Sequence, residues 1–272
     1  MEAAEIQMIT PSYHNIVPLT SARPNTVTKC ATRCSTCNLR ELCLPCGLTG
    51  TDLERTEDLI YTRKRVKRGE VIFHAGYEFI SIYAVRSGFF KTSLTLEDGR
   101  EQVTGFHMAG DLIGMDGIAI GLHNSSAVAM EDGEICVIPY ARIKELTRDM
   151  HSLQAQFHKM MSREIVREHG VMLALGSMRA EERVAAFLLD LSQRFTARGY
   201  SHAEFHLRMT REEIGSYLGL KLETVSRTLS RFQEDHLISV NNKHIRILDV
   251  EGLRWAACAG RSTRPLDERA AA

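Results

Sequence analysis

Between residues 65 and 140 the apolar positions come in short β-rich runs: VIF, SIYAV, FFKTSLTL, EQVTGFH, SAVAM and EICVIP. Gly76, Gly88, Gly99 and Gly110 punctuate them at spacings of twelve, eleven and eleven residues. That rhythm predicts an antiparallel sandwich or barrel, with Asp98-Gly99 as one hairpin turn. From 141 to 175 the period changes. Leu153, Phe157, Met160, Met161, Ile165, Val171, Met172 and Leu175 recur at steps of three and four, which predicts a long helix with a core-facing or coiled-coil seam. Glu164 and Glu168 interrupt that stripe, and Glu168 falls on the seam's own spacing. A buried unpaired acid is costly, so its presence there fits a pairing that is conditional. Two further amphipathic helices are expected. One covers 51–63, with Leu53, Leu59 and Ile60 on its apolar side. The other covers 177–198, with Ser177 as N-cap and Gly199 at its end.

The stretch MTREEIGSYLGLKLETVSRTLSRFQEDHLISV carries a denser signal. Thr210 with Glu213 forms a capping box, a short helix runs to about Leu218, Gly219 permits a tight turn, and a second helix starts near Leu222. Leu222, Val225, Leu229 and Phe232 share a core-facing side, while Glu223, Ser226, Arg227 and Ser230 share the opposite one. Helix, glycine turn and helix make a helix-turn-helix pattern, whose second helix enters the DNA major groove. Arg227 suits guanine, Glu223 suits cytosine and Ser226 is adaptable. LISVNNKHIRIL then reads as a two-stranded wing, with Lys243 and Arg246 available to phosphate.

Composition changes this picture little. The 272 residues carry 34 basic and 34 acidic side chains, and 201–250 hold seven of each, so a basic DNA-facing surface must come from arrangement rather than net charge. Residues 1–28 lack the apolar run of a secretory signal or membrane span, and a cytoplasmic protein with no membrane partner is expected. The histidines form no tight metal motif, and no nucleophile elbow or phosphate-cradling glycine loop occurs, so an enzyme is not expected; His107 and His123 read as loop or surface residues.

The cysteines are the unexplained chemistry. Five of seven (Cys30, Cys34, Cys37, Cys43 and Cys46) lie in KCATRCSTCNLRELCLPC, which in a reducing compartment points to metal or redox work. The spacing alone leaves an iron–sulfur cluster, a zinc site and a thiol–disulfide switch open, although it does not pair as two zinc knuckles.

A sheet domain, a long helix and a winged helix-turn-helix, in that order, resemble the CRP/FNR family of dimeric transcription regulators. The run from Cys30 to Cys43, TGFHMAGDLIGMD, AEERVAAF and MTREEIGSYLGLKLETVSR are similar to its FNR-type oxygen sensors from about residue 30 to 250. The resemblance implies an α+β fold: an antiparallel β-roll of the cyclic-nucleotide-binding type, a dimerisation helix and a winged helix-turn-helix. Its divisions are a tail over 1–29, a cysteine segment over 30–46, the β-roll over 47–150, the dimerisation helix over 151–176, the DNA-binding domain over 177–252 and a tail over 253–272. It implies a 4Fe–4S cluster on Cys34, Cys37, Cys43 and Cys136, with Cys30 outside the ligand set. Cys46 departs from the pattern, and Cys258 lies beyond it. A homodimer joined through Phe157, Met161, Ile165, Glu168 and Met172 would bind palindromic double-stranded DNA resembling TTGAT-N4-ATCAA without oxygen and release it in air. RNA polymerase is the implied second partner, through a loop near Thr95 to Arg100, but Arg100 stands where an acid is expected. A cyclic nucleotide is not expected, because no arginine lies between Arg100 and Arg142 to meet its phosphate. A thiol sensor, another metal or haem on the same fold is the alternative.

Overall fold

A computed structural model describes residues 33–57, 62–96 and 98–258. Cys30, Leu59, Ile60 and most of the two expected tails lie outside the described residues. The first element among the described residues is a turn of helix at Cys34–Thr36, followed by α1 (Gly50–Glu57). The β domain comprises β1 (Thr62–Val66), β2 (Val71–Phe73), β3 (Ser81–Ser87), β4 (Phe89–Thr95), β5 (Glu101–Met108), β6 (Leu112–Ile113), β7 (Ser126–Ala129) and β8 (Gly133–Pro139). Two helices follow, α2 (Tyr140–Asp149) and α3 (His151–Ser177). The C-terminal part holds α4 (Ala180–Thr196), β9 (Glu204–His206), α5 (Arg211–Leu218), α6 (Leu222–Glu234), β10 (Ile238–Asn241), β11 (His244–Ile247) and α7 (Val250–Cys258).

The β strands form two four-stranded antiparallel sheets, ordered β1-β8-β3-β6 and β2-β7-β4-β5. Val85, Phe90, Ile113 and Ile135 are among the residues that fill the space between them. Strand alternation sends Cys136 and Ile138 to the opposite face of the first sheet from Ile135. There they pack with Cys34, Leu44, Leu48, Leu53, Ile143, Leu153 and Phe157 in a second core. That sheet is buried on both faces, which is why EICVIP reads as a near-continuous apolar run. A third core joins Phe89, Val103, Phe106 and Met108 of the β domain to Phe187, Leu188, Val225, Leu229 and Phe232 of the C-terminal part.

Several expectations are corrected. Of the helix expected over 51–63, the described helical part is Gly50–Glu57, and Thr62–Val66 is instead the edge strand β1. The helical pattern over 141–175 breaks at Met150, whose ψ of 86° separates α2 from α3. Ser177 ends α3 rather than capping α4. The backbone N–H of Arg179 donates to Glu182 at 2.8 Å in its place. The wing gains a third strand, because β9 pairs with β11. Helix α7 runs through the expected boundary at 252, and Leu253 is fully buried in the C-terminal core. His107 and His123 are buried rather than at the surface. His107 sits 3.0 Å from the Thr92 hydroxyl, and His123 stacks on Phe73 and lies 3.2 Å from Asp116.

The two halves are locked by charge as well as by apolar packing. Asp111 follows β5 and accepts from Arg194 on α4 at 2.8 Å and from Arg198, in the turn just after α4, at 2.7 Å. Its Oδ2 also accepts the Met108 N–H at 2.8 Å. Arg194 and Arg198 donate in addition to the carbonyls of Phe106 and Ala109. Burial pushes the Asp111 carboxyl up, but Arg194, Arg198 and Arg167 outweigh it and hold the group below the usual aspartate range. On a neighbouring edge, Lys91 binds Glu101 and Glu213, and the Ser216 hydroxyl accepts the Val103 N–H at 2.8 Å. Arg183 ties the hinge by donating to the carbonyls of Leu175, Met178 and Leu218, where a cation suits the exposed ends of α3 and α5.

Replacing Asp111 by Asn strands two arginines against the β domain and is expected to destabilise the protein by about 3 kcal/mol, measured by urea unfolding at neutral pH. Because the folded-state pKa is lowered, this contribution is complete above about pH 4, the unfolded aspartate value, and is lost as pH falls through the lowered one. The wild-type–variant difference should therefore shrink below pH 4; a difference independent of pH would place the effect elsewhere.

Candidate metal centre and nucleic-acid interface

Cys34, Cys37 and Cys43 come from the turns that follow residue 33, and Cys136 comes from β8. All four line one pocket of about 20 Å³, together with Arg40, Arg63 and Arg86. Cys136 sits in the middle of its sheet, with Arg63 of β1 as its cross-strand partner on one side and Ala84 of β3 on the other. Successive turns bring the first three thiols to it: Cys37 N–H donates to the Cys34 carbonyl at 3.2 Å, and Cys43 N–H to the Leu39 carbonyl at 3.0 Å. Leu44 and Leu48 anchor the segment below the thiols.

All six described cysteines are free thiols. Burial pushes Cys34 and Cys43 up to about 12, and the neighbouring cysteines add to the effect. Burial pushes Cys136 up to about 11 against the opposing pull of Arg63. The mutual influence of these groups is the electrostatic mark of thiols gathered at one point. Neutral buried thiols are poor nucleophiles. Such a site gains thiolate character by binding a metal that displaces the protons.

The donor set, four sulfurs from two segments, fits an iron–sulfur cluster or a tetrahedral metal. The space does not yet fit. Among the described residues no group of three or more His, Cys, Asp or Glu stands ready to hold a metal ion. A pocket of about 20 Å³ has room for little more than one water. The turn-rich segment 37–47 that carries Cys37 and Cys43 contains no strand or α-helix. Cys46 lies next to this set without lining the pocket, 4.0 Å from Glu41. Cys258 is exposed at the far end of the chain's described part.

Over the same segment, Leu42 covers Gly110. A Cβ built at Gly110 would lie 2.7 Å from that of Leu42, and φ of +93° there also requires glycine. Gly110 adjoins Asp111, so the cysteine segment rests on the turn that locks the β domain to α4. Sequence reasoning missed this contact, the Asp111 lock and the three arginines. The only advance signal was the run Arg63-Lys64-Arg65 ahead of the first apolar strand.

The second site is on α5 and α6. Thr210 Oγ accepts the Glu213 N–H at 3.1 Å, and Glu213 accepts the Thr210 N–H at 2.8 Å. Gly219 adopts φ 62°, turning the chain between the helices. Val225, Leu229 and Phe232 are buried, whereas Leu222, expected to face the core, is 44% exposed because it sits in the first turn of α6, ahead of the packed stretch. Glu223, Arg227 and Ser230 are exposed and Ser226 half-buried, so the four expected positions share one outward face. Asn242 takes φ 57° at the tip of the wing beside Lys243.

The expected seam on α3 divides. Phe157 is buried in the core beside the cysteine segment, and Met161 packs partly against it. Ile165 and Met172 are 50% and 68% exposed, Val166 and Leu173 are exposed as well, and Glu168 lies exposed among them. Arg100, in the expected polymerase loop, donates to its neighbour Asp98 at 2.7 Å. No helix among the described residues is long and apolar enough to cross a membrane.

Residues 182–255 match the family described as the Crp-like helix-turn-helix domain, and residues 63–149 match the cyclic nucleotide-binding domain. The chain is 47% identical over 224 residues to the transcriptional regulatory protein btr of Bordetella pertussis, covering 82% of this chain and 93% of that protein. It is 43% identical over 228 residues to the fumarate and nitrate reduction regulatory protein of Escherichia coli K12, covering 84% and 91%. Among solved structures, FixK2 from Bradyrhizobium japonicum aligns with a TM-score of 0.66 at 28% identity, over 71% of this chain and 95% of that one.

Because desolvation raises the pKa of the Cys34, Cys43 and Cys136 thiols, iodoacetamide at pH 7.5 should label exposed Cys258 of the metal-free protein at least about tenfold faster than any of those three. Mass spectrometry of timed digests reads the order; prompt labelling of Cys136 would contradict the burial argument.

Proposed function

The chain belongs to the CRP/FNR family of transcription regulators, and from that premise we propose that it is an oxygen-responsive regulator. It holds a 4Fe–4S cluster on Cys34, Cys37, Cys43 and Cys136. While loaded, it pairs through α3 and binds a TTGAT-N4-ATCAA-like palindrome in the cytoplasm; in air it releases the DNA. The observation that carries this reading is the convergence of those four cysteines, from two distant segments, on one pocket. Burial of Cys34, Cys43 and Cys136 disfavours the reactive thiolate that a metal-free switch at those three positions needs.

When bound, the cluster supplies the oxygen-labile chemistry. The chain's own residues do the rest. Cys34, Cys37 and Cys43 fix the N-terminal segment to β8 through Cys136. Leu42 then keeps its seat on Gly110, and Phe157 and Met160 of α3 keep theirs in the core that the segment covers. This holds the upper half of α3 in place and presents Ile165 and Met172 to a second copy, where Glu168 opposes pairing. A shift of a few kcal/mol in dimerisation is enough to switch occupancy. In the dimer, two copies of α6 reach successive turns of the major groove, with Glu223, Ser226 and Arg227 at base edges. Contact with RNA polymerase is the remaining step, and the Asp98–Arg100 pair makes its surface differ from the acidic loop that the family resemblance implies.

A cyclic nucleotide has little to bind. The cavity between β4, β5 and α3, about 340 Å³, is lined by Asp116, Glu164 and Glu168 with no arginine or lysine, which disfavours a phosphate.

Protein prepared without oxygen should be brown, with about four irons per chain. It should bind the palindrome and lose colour and DNA binding together on timed exposure to air. A colourless, zinc-loaded protein under those conditions overturns the cluster reading, and a sharp Soret band would favour haem. Replacing Glu168 by Ala should give dimers and DNA binding in air, followed by sedimentation and gel shift. A variant that remains monomeric there would show that the acid is not what opposes pairing.

A further inference from the structure

Where α3 hands over to the C-terminal part, the structure holds a cavity of about 250 Å³ that shares no lining residue with the cysteine pocket. Three helices wall it: Val171, Ala174 and Leu175 from α3, Ala186 and Phe187 from α4, and Tyr217 from α5. Gly170 lines it too, and a Cβ built there would meet nothing within 4 Å. An apolar cavity of roughly 150 Å³ is enough to take up benzene, so this one has room for a fused pair of rings. Mostly apolar pockets set between structural parts, with a few polar groups that fix orientation, are where small molecules bind.

The charged groups on the lining are already matched. Arg183 donates from Nε to the Met178 carbonyl at 3.0 Å, from Nη1 to that of Leu218 at 2.9 Å and from Nη2 to that of Leu175 at 2.8 Å. Arg167 is held by Glu164 and by the Phe106 carbonyl. Asp190 lies 3.6 Å from Arg194. A charged ligand would have to draw one of these groups away from its partner. Tyr217 differs. Its ring packs against Phe106 and Phe187, with centroids 5.1 and 5.9 Å away, but its hydroxyl has no hydrogen-bond partner among the described residues. Burial pushes the phenol up, so it stands there as a neutral group that can both donate and accept.

We infer that this hinge cavity is a binding site for a small uncharged aromatic molecule with one hydrogen-bonding group, its ring among Val171, Ala174 and Phe187 and its polar atom on the Tyr217 hydroxyl. The site does not rest on the cluster reading. Its occupant touches α3, which carries the exposed apolar residues, and α5, which leads into α6, so it acts on the relative placing of those two helices. The rival occupant is an apolar side chain of a second copy, because Met172 and Leu173 are exposed alongside. Such a side chain would leave the Tyr217 hydroxyl without a partner, which a ligand with a polar atom avoids.

Indole is the probe, and indene is its isostere without the N–H. Titration calorimetry on the full chain should show saturable binding of indole at a single site. Ala174→Phe fills the cavity and should abolish that binding while circular dichroism and melting show the fold intact. Tyr217→Phe should weaken indole about fivefold, the worth of one hydrogen bond, and leave indene unchanged. Should Ala174→Phe fail to fold, Ala186→Leu closes the cavity from the opposite wall and carries the same expectation. Wild type that binds no indole saturably overturns the proposal, as does undiminished affinity in the filled variant. An equal loss of indole and indene in Tyr217→Phe removes the assigned role of the hydroxyl and overturns it too. Indole affinity that falls as protein concentration rises would seat the second copy in the cavity, and the small-molecule site would then be wrong.

Discussion

One carboxylate holds the two halves of the molecule in register. Asp111 has an arginine on each oxygen, one from α4 and one from the turn that ends it, and takes a backbone N–H from its own turn. The pair of guanidiniums carries further bonds to the carbonyls of Phe106 and Ala109, so the whole turn after β5 is gripped from the C-terminal side. Apolar contacts between Phe106 and Phe187 seal the same interface, but they are tolerant of sliding in a way that a carboxylate bridging two arginines is not. What sets the position of the helix-turn-helix relative to the β domain is therefore where the Gly110-Asp111 turn stands.

That turn is also the floor under the cysteine segment. Leu42, one residue before Cys43, lies so close over Gly110 that only glycine fits beneath it. A displacement of the segment on either gaining or losing a bound group has two direct outlets. One is through Leu42 to the turn and α4; the other is through the core shared by Cys34, Leu44, Leu53 and Phe157 to the upper half of α3. The two routes end on the two properties that a dimeric DNA-binding protein must control, the placing of α6 and the pairing of α3. Packed interiors respond to such shifts by changing between discrete arrangements rather than by bending smoothly.

What was legible in the sequence follows the range of the interactions. The helix-turn-helix is written in local terms: the Thr210–Glu213 box, the left-handed Gly219 and the 3.6-residue spacing of Val225, Leu229 and Phe232 all lie within one stretch. Most β strands also declared themselves, because alternation and glycine turns are local. β1 did not, since TRKRV shows only Thr62 and Val66 to the core and spends its other positions on charges. Those charges are explained by partners outside the strand, Glu70 in the following turn for Lys64 and the distant Cys136 on β8 for Arg63. The burial of His107 and His123 was missed for the same reason. A histidine looks like a surface residue until Thr92 and Asp116 are found beside it. The ligand set was suggested by resemblance, while the arginines around it and the Asp111 lock had no counterpart in any periodic pattern.

The exposed lower half of α3 shows how the two kinds of information combine. Ile165, Val166, Met172 and Leu173 would be a liability on a chain that stayed alone, and a seam that apolar would pair permanently if nothing opposed it. Glu168 lies in the midst of these residues, and Glu164 one turn before it is held by Arg167, which also reaches the Phe106 carbonyl. Burial is the larger influence on Glu164 and raises its pKa, with Arg167 opposing. The acid nearest the β domain is thus paired within its own chain, whereas Glu168 is exposed among the apolar residues. Under the proposed pairing those apolar residues favour association and Glu168 opposes it. In that proposal a modest change in how α3 is held at its upper end shifts the balance.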